Sequence, residues 1–195
     1  RYAGDVKTLG QPDMVIVPGS KNTMSDLKWM RQNGMEAAML KLAAANVPVL
    51  GICGGYQMLG ESIEDPDGEE GGGSLHGMGL LPVRTVFEKE KVQTRVTGEI
   101  LQNPGAGDGL FAALCGSVFS GYEIHMGHTT GNGKNSFSRI RTLTNGSTEA
   151  EEDWQADGAV CGNVAGTYVH GLFEDGSLTK NLCGALLSKK GICAD

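Results

Sequence analysis

The 195-residue chain has no run of about 18 consecutive apolar residues, the length a membrane-spanning helix needs. Its first residues, RYAGDVKTLG, lack the basic start and apolar centre of a secretory signal. Sixteen Lys and Arg against 23 Asp and Glu give a formal net charge of -7, and no stretch concentrates positive charge. Neither a nucleic-acid groove nor membrane association is therefore expected. Cysteine is sparse: five residues, at 53, 115, 161, 183 and 193, an odd number with no C-x-x-C pair. That argues against a disulfide framework or a zinc knuckle and for a reducing, cytoplasmic setting. His125 and His128 in GYEIHMGHT have no partnering Cys or carboxylate pattern, so no metal site is expected. An initial Met is also missing, and the chain is expected to be a fragment of a longer one.

What is present suits one α/β domain over residues 1–195. The hydrophobic fraction is 39%, enough for a core, and 31 glycines cluster at turns without a collagen-like period. DMVIVPG (13–19) and VPVLGIC (47–53) read as buried parallel strands. Between them, Leu27, Met30, Met35, Met39 and Leu42 fall near one helical face, with Asn33-Gly34 splitting two helices. YQMLGESI reads as a short helix. EDPDGEEGGGSLHGMG (64–79) reads as a polar Gly-rich loop, and the alternation in VQTRVTGEI and SVFSGYEIHMGHTT as antiparallel strands. Residues 130–155 are polar and are expected to form a mobile loop. The end, VAGTYVHGLFEDGSLTKNLCGALLSKKG, reads as a strand, a Gly turn and a closing helix, with Ser177 as N-cap and Gly191 past its end. Strand and helix alternating with tight Gly turns predict a doubly wound, mostly parallel sheet with flanking helices and some antiparallel strands. Ligands in such sheets sit at the carboxyl ends of strands, where Pro18-Gly19 and Cys53-Gly54 both fall.

In VLGICGGYQMLG, Gly51-Ile52-Cys53-Gly54-Gly55 has the G-x-nucleophile-x-G spacing of a sharp strand-to-helix turn. Small residues two before and two after the central one let strand and helix backbones nearly touch. The helix N-terminus then faces the sulfur and favours its thiolate, while the Gly54 N–H points at a developing oxyanion. The alternative is a buried Cys in a Gly-rich turn. A thiol nucleophile needs a base, and His170 ends an apolar strand before a Gly, so it too reaches a strand's carboxyl end. Glu174 could orient the imidazole or be a solvated loop carboxylate. The turn Gly19-Ser20 could aim a backbone N–H at the same oxyanion; Walker spacing is missing from GSKNT.

GICGGYQ resembles the G-x-C-x-G-x-Q motif of class I, triad-type glutamine amidotransferases, whose domains have a flavodoxin-like fold. PGSKNTMSDLKWMR, GMGLLPVRTVFEKEK, GYEIHMGHT and GTYVHGLFE narrow the likeness to the C-terminal glutaminase domains of cobyric acid synthases, over roughly residues 5–188. The resemblance implies that Cys53 attacks the side-chain amide of L-glutamine to give a thioester and ammonia, with His170 relaying protons. It implies oxyanion donors at Gly54, Gly19 and Ser20, and substrate contacts from Gln57, Glu123 and His125. It further implies an N-terminal synthetase domain that uses ATP and Mg²⁺ to amidate a corrinoid, adenosylcobyrinic acid a,c-diamide, in cobalamin biosynthesis; no cofactor is expected in this domain itself. Leu172 stands where the wider superfamily has a Glu two residues past the His, so either Glu174, Glu123 or a residue of the synthetase domain completes a triad, or a Cys-His dyad suffices. Glutaminases serving lipid II or cobyrinate amidation, or a non-catalytic domain of the same fold, are the alternatives.

Overall fold

The computed structural model describes residues 1–131, 135–143, 154–174 and 176–192. The chain opens with helix α1 (Val6–Leu9), capped by the Asp5 carboxylate, which accepts the Thr8 N–H at 2.6 Å. Strand β1 (Val15–Val17) follows and stops before Pro18-Gly19. Helices α2 (Thr23–Gln32) and α3 (Met35–Ala44) divide at Asn33-Gly34, as the sequence predicts. Gly34 takes φ +73 there, a left-handed conformation open to a residue without Cβ. Leu27, Met30, Met35 and Met39 are buried on their common apolar face, each worth about 1.5–3 kcal/mol of burial. Strand β2 (Val49–Ile52) runs into the short helix α4 (Gly54–Leu59).

The middle of the chain is built of strands: β3 (Ser62–Asp65), β4 (Gly73–His76), the long β5 (Val83–Ile100), β6 (Val118–Gly131), β7 (Ser138–Thr142), β8 (Gln155–Asp157) and β9 (Ala159–Cys161). Then come β10 (Val164–Thr167), β11 (Val169–His170) and the closing helix α5 (Gly176–Lys189). Two sheets result. The first has the order β1-β2-β10-β9, with β1, β2 and β10 parallel and β9 antiparallel at its edge. The second has the path β11-β6-β5-β3-β4, antiparallel except for β3 beside β5, with β7 and β8 added alongside β5. Side chains of the first sheet alternate between two cores. Val49 and Val164 join α2, α3 and α4 on one face; Leu50 and Ala165 join α5 on the other. This is the expected mixed α/β arrangement, with helices on both faces of a parallel sheet.

Four details differ from the sequence reading. Strand β1 is buried on one face only, with Ile16 43% exposed, because it sits at the sheet edge. The supposed loop at 64–79 contains the β3–β4 hairpin, in which Asp65 pairs with Gly73; Gly71 and Gly72, both at positive φ, lie in its turn. Within the supposed mobile stretch 130–155 stands β7, paired to both β5 and β8, whereas 132–134 and 144–153 lie outside the described residues. Helix α5 starts at Gly176, so Ser177 lies in its first turn instead of before it, while Gly191 follows its end at φ +70 as expected. Among the described residues no helix is long and apolar enough to cross a membrane.

Candidate active site

Cys53 stands between the end of β2 and the first residue of α4, at φ +53 and ψ -112. Among the described residues only Asn46 shares such a φ without being glycine. The conformation costs about 1–3 kcal/mol for an L-residue. Close approach of the flanking backbones forces it. A Cβ on Gly51 would lie 2.7 Å from the Gly55 carbonyl carbon, and one on Gly55 would enter the Val17 carbonyl. The Cys53 N–H donates to the Thr167 carbonyl of β10 at 2.8 Å. The glycine spacing thus does what it predicts: it turns the chain sharply and projects the sulfur at the carboxyl end of β2.

His170 reaches the same place from another sheet. The chain leaves β10, paired to β2, and two residues later is β11, paired to β6 through Val169 opposite Glu123 and His170 opposite Tyr122. The Cys53 Sγ–H donates to the Ile124 carbonyl of β6 at 3.3 Å, and His170 Nε2 lies 3.3 Å from that same oxygen. Sulfur and imidazole are therefore within two hydrogen-bond lengths of each other. Gly19 lies against both: a Cβ there would be 3.0 Å from His170 Cε1 and 3.6 Å from Cys53 Cβ. Gly54 lies against Ser20, its notional Cβ 2.9 Å from the Ser20 nitrogen. The Ser20 hydroxyl donates to Asp26 at 2.6 Å and accepts the Asn22 N–H at 3.0 Å, which turns that side chain toward the start of α2. Cys53, Gly54, Gly19, Ser20 and His170, gathered from three parts of the chain, form one cluster.

Burial pushes the half-buried Cys53 thiol above its ordinary value; the Gly54 N–H opposes this, and the nearby Glu70 carboxylate adds to it. Desolvation of the sulfur thus opposes the thiolate that the N–H groups at the start of α4 favour.

The remaining expected residues surround this cluster. Gln57 is 3% exposed, and both its amide hydrogens are taken: Nε2 donates to the Met126 carbonyl and to the Tyr168 hydroxyl, each at 3.2 Å, while Oε1 accepts from Thr23 at 3.2 Å. Gln57 is thus a strut between α2, α4 and β6. Glu123 and His125 share a face of β6, as their spacing predicts, and bond each other at 3.1 Å. Glu123 also accepts from Thr94 at 3.3 Å, and the His125 ring stacks on Tyr168 at 3.8 Å. Glu174 is exposed beside Gly171, and among the described residues neither it nor Glu123 bonds His170. Leu172, 1% exposed, belongs to the core. Among the described residues no group of His, Cys, Asp and Glu could hold a metal ion.

Four participants are absent from the sequence reading. The Ile124 carbonyl is main chain and has no residue-type signal. Glu70, in the β3–β4 turn, accepts the Met24 N–H at 2.9 Å. Tyr168 lies in the GTYVHG stretch, where only its aromatic ring before His170 draws the eye. Asp157 is 5% exposed and accepts from Ser138, Thr167 and Tyr168; its only signal, Asp-Gly, reads as a surface turn.

A thiol at a forced turn, beside an imidazole and backbone N–H groups, is the apparatus of acyl transfer. Residues 1–178 match the CobB/CobQ-like glutamine amidotransferase domain. The chain belongs to that family. It is 49% identical over 193 residues to a cobyric acid synthase of Ruminiclostridium cellulolyticum, covering 98% of this chain and 36% of the relative. It is 45% identical over 198 residues to a cobyric acid synthase of Yersinia enterocolitica, covering 100% and 37%. This glutamine amidotransferase domain thus spans little more than a third of the curated relatives it matches. A solved glutamine amidotransferase shares the fold at TM-score 0.53 and 17% identity, covering 98% of this chain and 86% of that one. PurLQS of Thermotoga maritima does so at 0.54 and 16%, covering 91% and 80%.

Proposed function

We propose that this glutamine amidotransferase domain hydrolyses glutamine at Cys53 and supplies ammonia for the amidations of cobyric acid synthesis. The observation that carries the reading is the convergence of Cys53 Sγ and His170 Nε2 on the Ile124 carbonyl, each at 3.3 Å. His170 takes the thiol proton as Sγ attacks the side-chain amide carbon of glutamine. The Gly54 N–H and the Gly19-Ser20 turn hold the oxyanion, each donor worth about 3 kcal/mol. The C–N bond breaks, the imidazolium gives its proton to the departing ammonia, and a glutamyl thioester remains. Water, deprotonated by His170, then cleaves the thioester to glutamate and restores the thiol. Burial disfavours the free thiolate, so loss of the thiol proton to His170 accompanies the attack on the amide carbon. Gln57 and the Glu123–His125 pair, bonded as they are within the protein, hold the elements that carry Cys53 and the Ile124 carbonyl. Kinship to cobyric acid synthases supports the corrinoid as the final ammonia acceptor, on a synthetase domain that uses ATP and Mg²⁺.

The test uses the full-length protein that carries this chain. A chloroketone analogue of glutamine labels Cys53, shown by peptide mass spectrometry. Cys53→Ala releases no glutamate and amidates cobyrinic acid a,c-diamide with ammonium salts but not with glutamine. A Cys53→Ala protein that still used glutamine would sink the mechanism, and a wild-type protein that amidated some other acid but not the corrinoid would sink the substrate.

A further inference from the structure

Between Thr167 and Val169 the chain crosses from the parallel sheet to the antiparallel one, and a buried carboxylate sits at the crossing. Asp157 Oδ2 accepts the Thr167 hydroxyl at 2.6 Å and the Ser138 hydroxyl at 2.7 Å, and Oδ1 accepts the Tyr168 N–H at 3.0 Å. The Thr167 hydroxyl oxygen in turn accepts the Val169 N–H at 3.0 Å, and the Thr167 carbonyl accepts the Cys53 N–H at 2.8 Å. One residue, Thr167, thus touches the backbone of Cys53 on one side and the residue before His170 on the other. Asp157 fixes that residue's hydroxyl. Burial alone would not require a carboxylate here: an uncompensated one is costly, and three donors are what make it tolerable.

We propose that Asp157 is the positioning residue of the pair: acting through the Thr167 hydroxyl, it sets His170 against Cys53. It takes over, along the main chain, the orienting task that no carboxylate among the described residues performs at the imidazole itself. The inference rests on the glutaminase reading.

Two hydroxyls on the same oxygen supply the discriminating experiment. Ser138 and Thr167 are both fully buried and both donate to Oδ2, but the Thr167 hydroxyl also accepts the Val169 N–H, so its removal is expected to cost the more stability; only Thr167 leads to the pair. Glutaminase kinetics and melting curves are measured on the full-length protein for wild type, Cys53→Ala, Thr167→Val, Thr167→Ser and Ser138→Ala. Thr167→Val is expected to lower kcat at least about tenfold with KM within about twofold. Thr167→Ser, which keeps the hydroxyl, is expected to restore kcat, and Ser138→Ala to lower Tm, by less than Thr167→Val, while keeping kcat within about threefold of wild type. Equal kcat for the Thr167→Val and Ser138→Ala proteins, whether both high or both low, overturns the positioning role and leaves the glutaminase reading intact. A wild-type protein that makes no more glutamate than Cys53→Ala overturns both.

Discussion

The turn at Cys53 and the crossing at Thr167–His170 meet at one carbonyl, yet they are built by opposite means. The turn is held by what cannot be added: Gly51 and Gly55 leave no room for a Cβ, so the chain has one path. The crossing is held by what is present, a set of hydrogen bonds that join Thr167 and Tyr168 to Asp157 and Gln57, residues far away in sequence. Steric exclusion is local and rigid; a polar network is distributed and weakens one bond at a time. The sulfur is therefore placed by shape and the imidazole by hydrogen bonding.

The largest effect expected from this contrast is at Gly55. A methyl group there must displace the Val17 carbonyl, which is main chain and cannot swing aside. Gly55→Ala is expected to lose about 3 kcal/mol in urea unfolding, the upper end of ordinary overpacking. Gly184→Ala serves as control: it lies within α5, nothing is within 4 Å of its notional Cβ, and alanine there should stabilise by about 0.5–1 kcal/mol. If both variants matched wild type, exclusion would not be what shapes the turn.

A smaller loss is expected at the crossing. Tyr168 is 7% exposed; its hydroxyl accepts from Gln57 and bonds the Thr129 hydroxyl, while its ring stacks on His125 and meets Tyr56 edge-on at 5.2 Å. Burial pushes its hydroxyl up to about 12, so it stays protonated across the working range. Tyr168→Phe keeps both ring contacts and strands one Gln57 hydrogen, for an expected loss of about 1–2 kcal/mol by the same unfolding assay. Wild-type stability in this variant would mean that ring packing holds the crossing and that the two regions are built alike.

The same contrast explains what could be read from the sequence. Gly51, Cys53 and Gly55 announce the turn because a steric requirement leaves its mark on adjacent residues. His170 is legible as a histidine at the end of an apolar strand, and the α2–α3 division as Asn33-Gly34. Asp157 was hidden inside a polar stretch because a buried carboxylate and a solvated one look the same until their partners are known, and its partners stand 10, 11 and 19 residues away. The Ile124 carbonyl was hidden because every residue has one. Gln57 stood at the expected position, one turn after Cys53, but its engagement with Thr23, Met126 and Tyr168 depends on pairings that only the assembled sheets create.

The smallest effect expected tests the electrostatics of the turn itself. Desolvation is the chief reason the Cys53 thiol is raised, with Glu70 a lesser one. A negative charge nearby disfavours thiolate, so removing it must lower the thiol's midpoint and increase the thiolate fraction at a fixed pH below it. Glu70→Gln keeps an oxygen for the Met24 N–H, at 2.9 Å in the native protein, and so keeps the hairpin in place. A partly exposed pair of this kind is worth about 0.5–1 kcal/mol, which converts to a roughly two- to fivefold faster alkylation of Cys53 by iodoacetamide at pH 8. The full profile from about pH 6 to 10 should still have its midpoint above the ordinary thiol range, because burial is untouched. If Glu70→Gln instead brought the midpoint down to neutrality, charge and not burial would govern the sulfur. The Cys53 turn would then depend on a distant side chain as much as the crossing does.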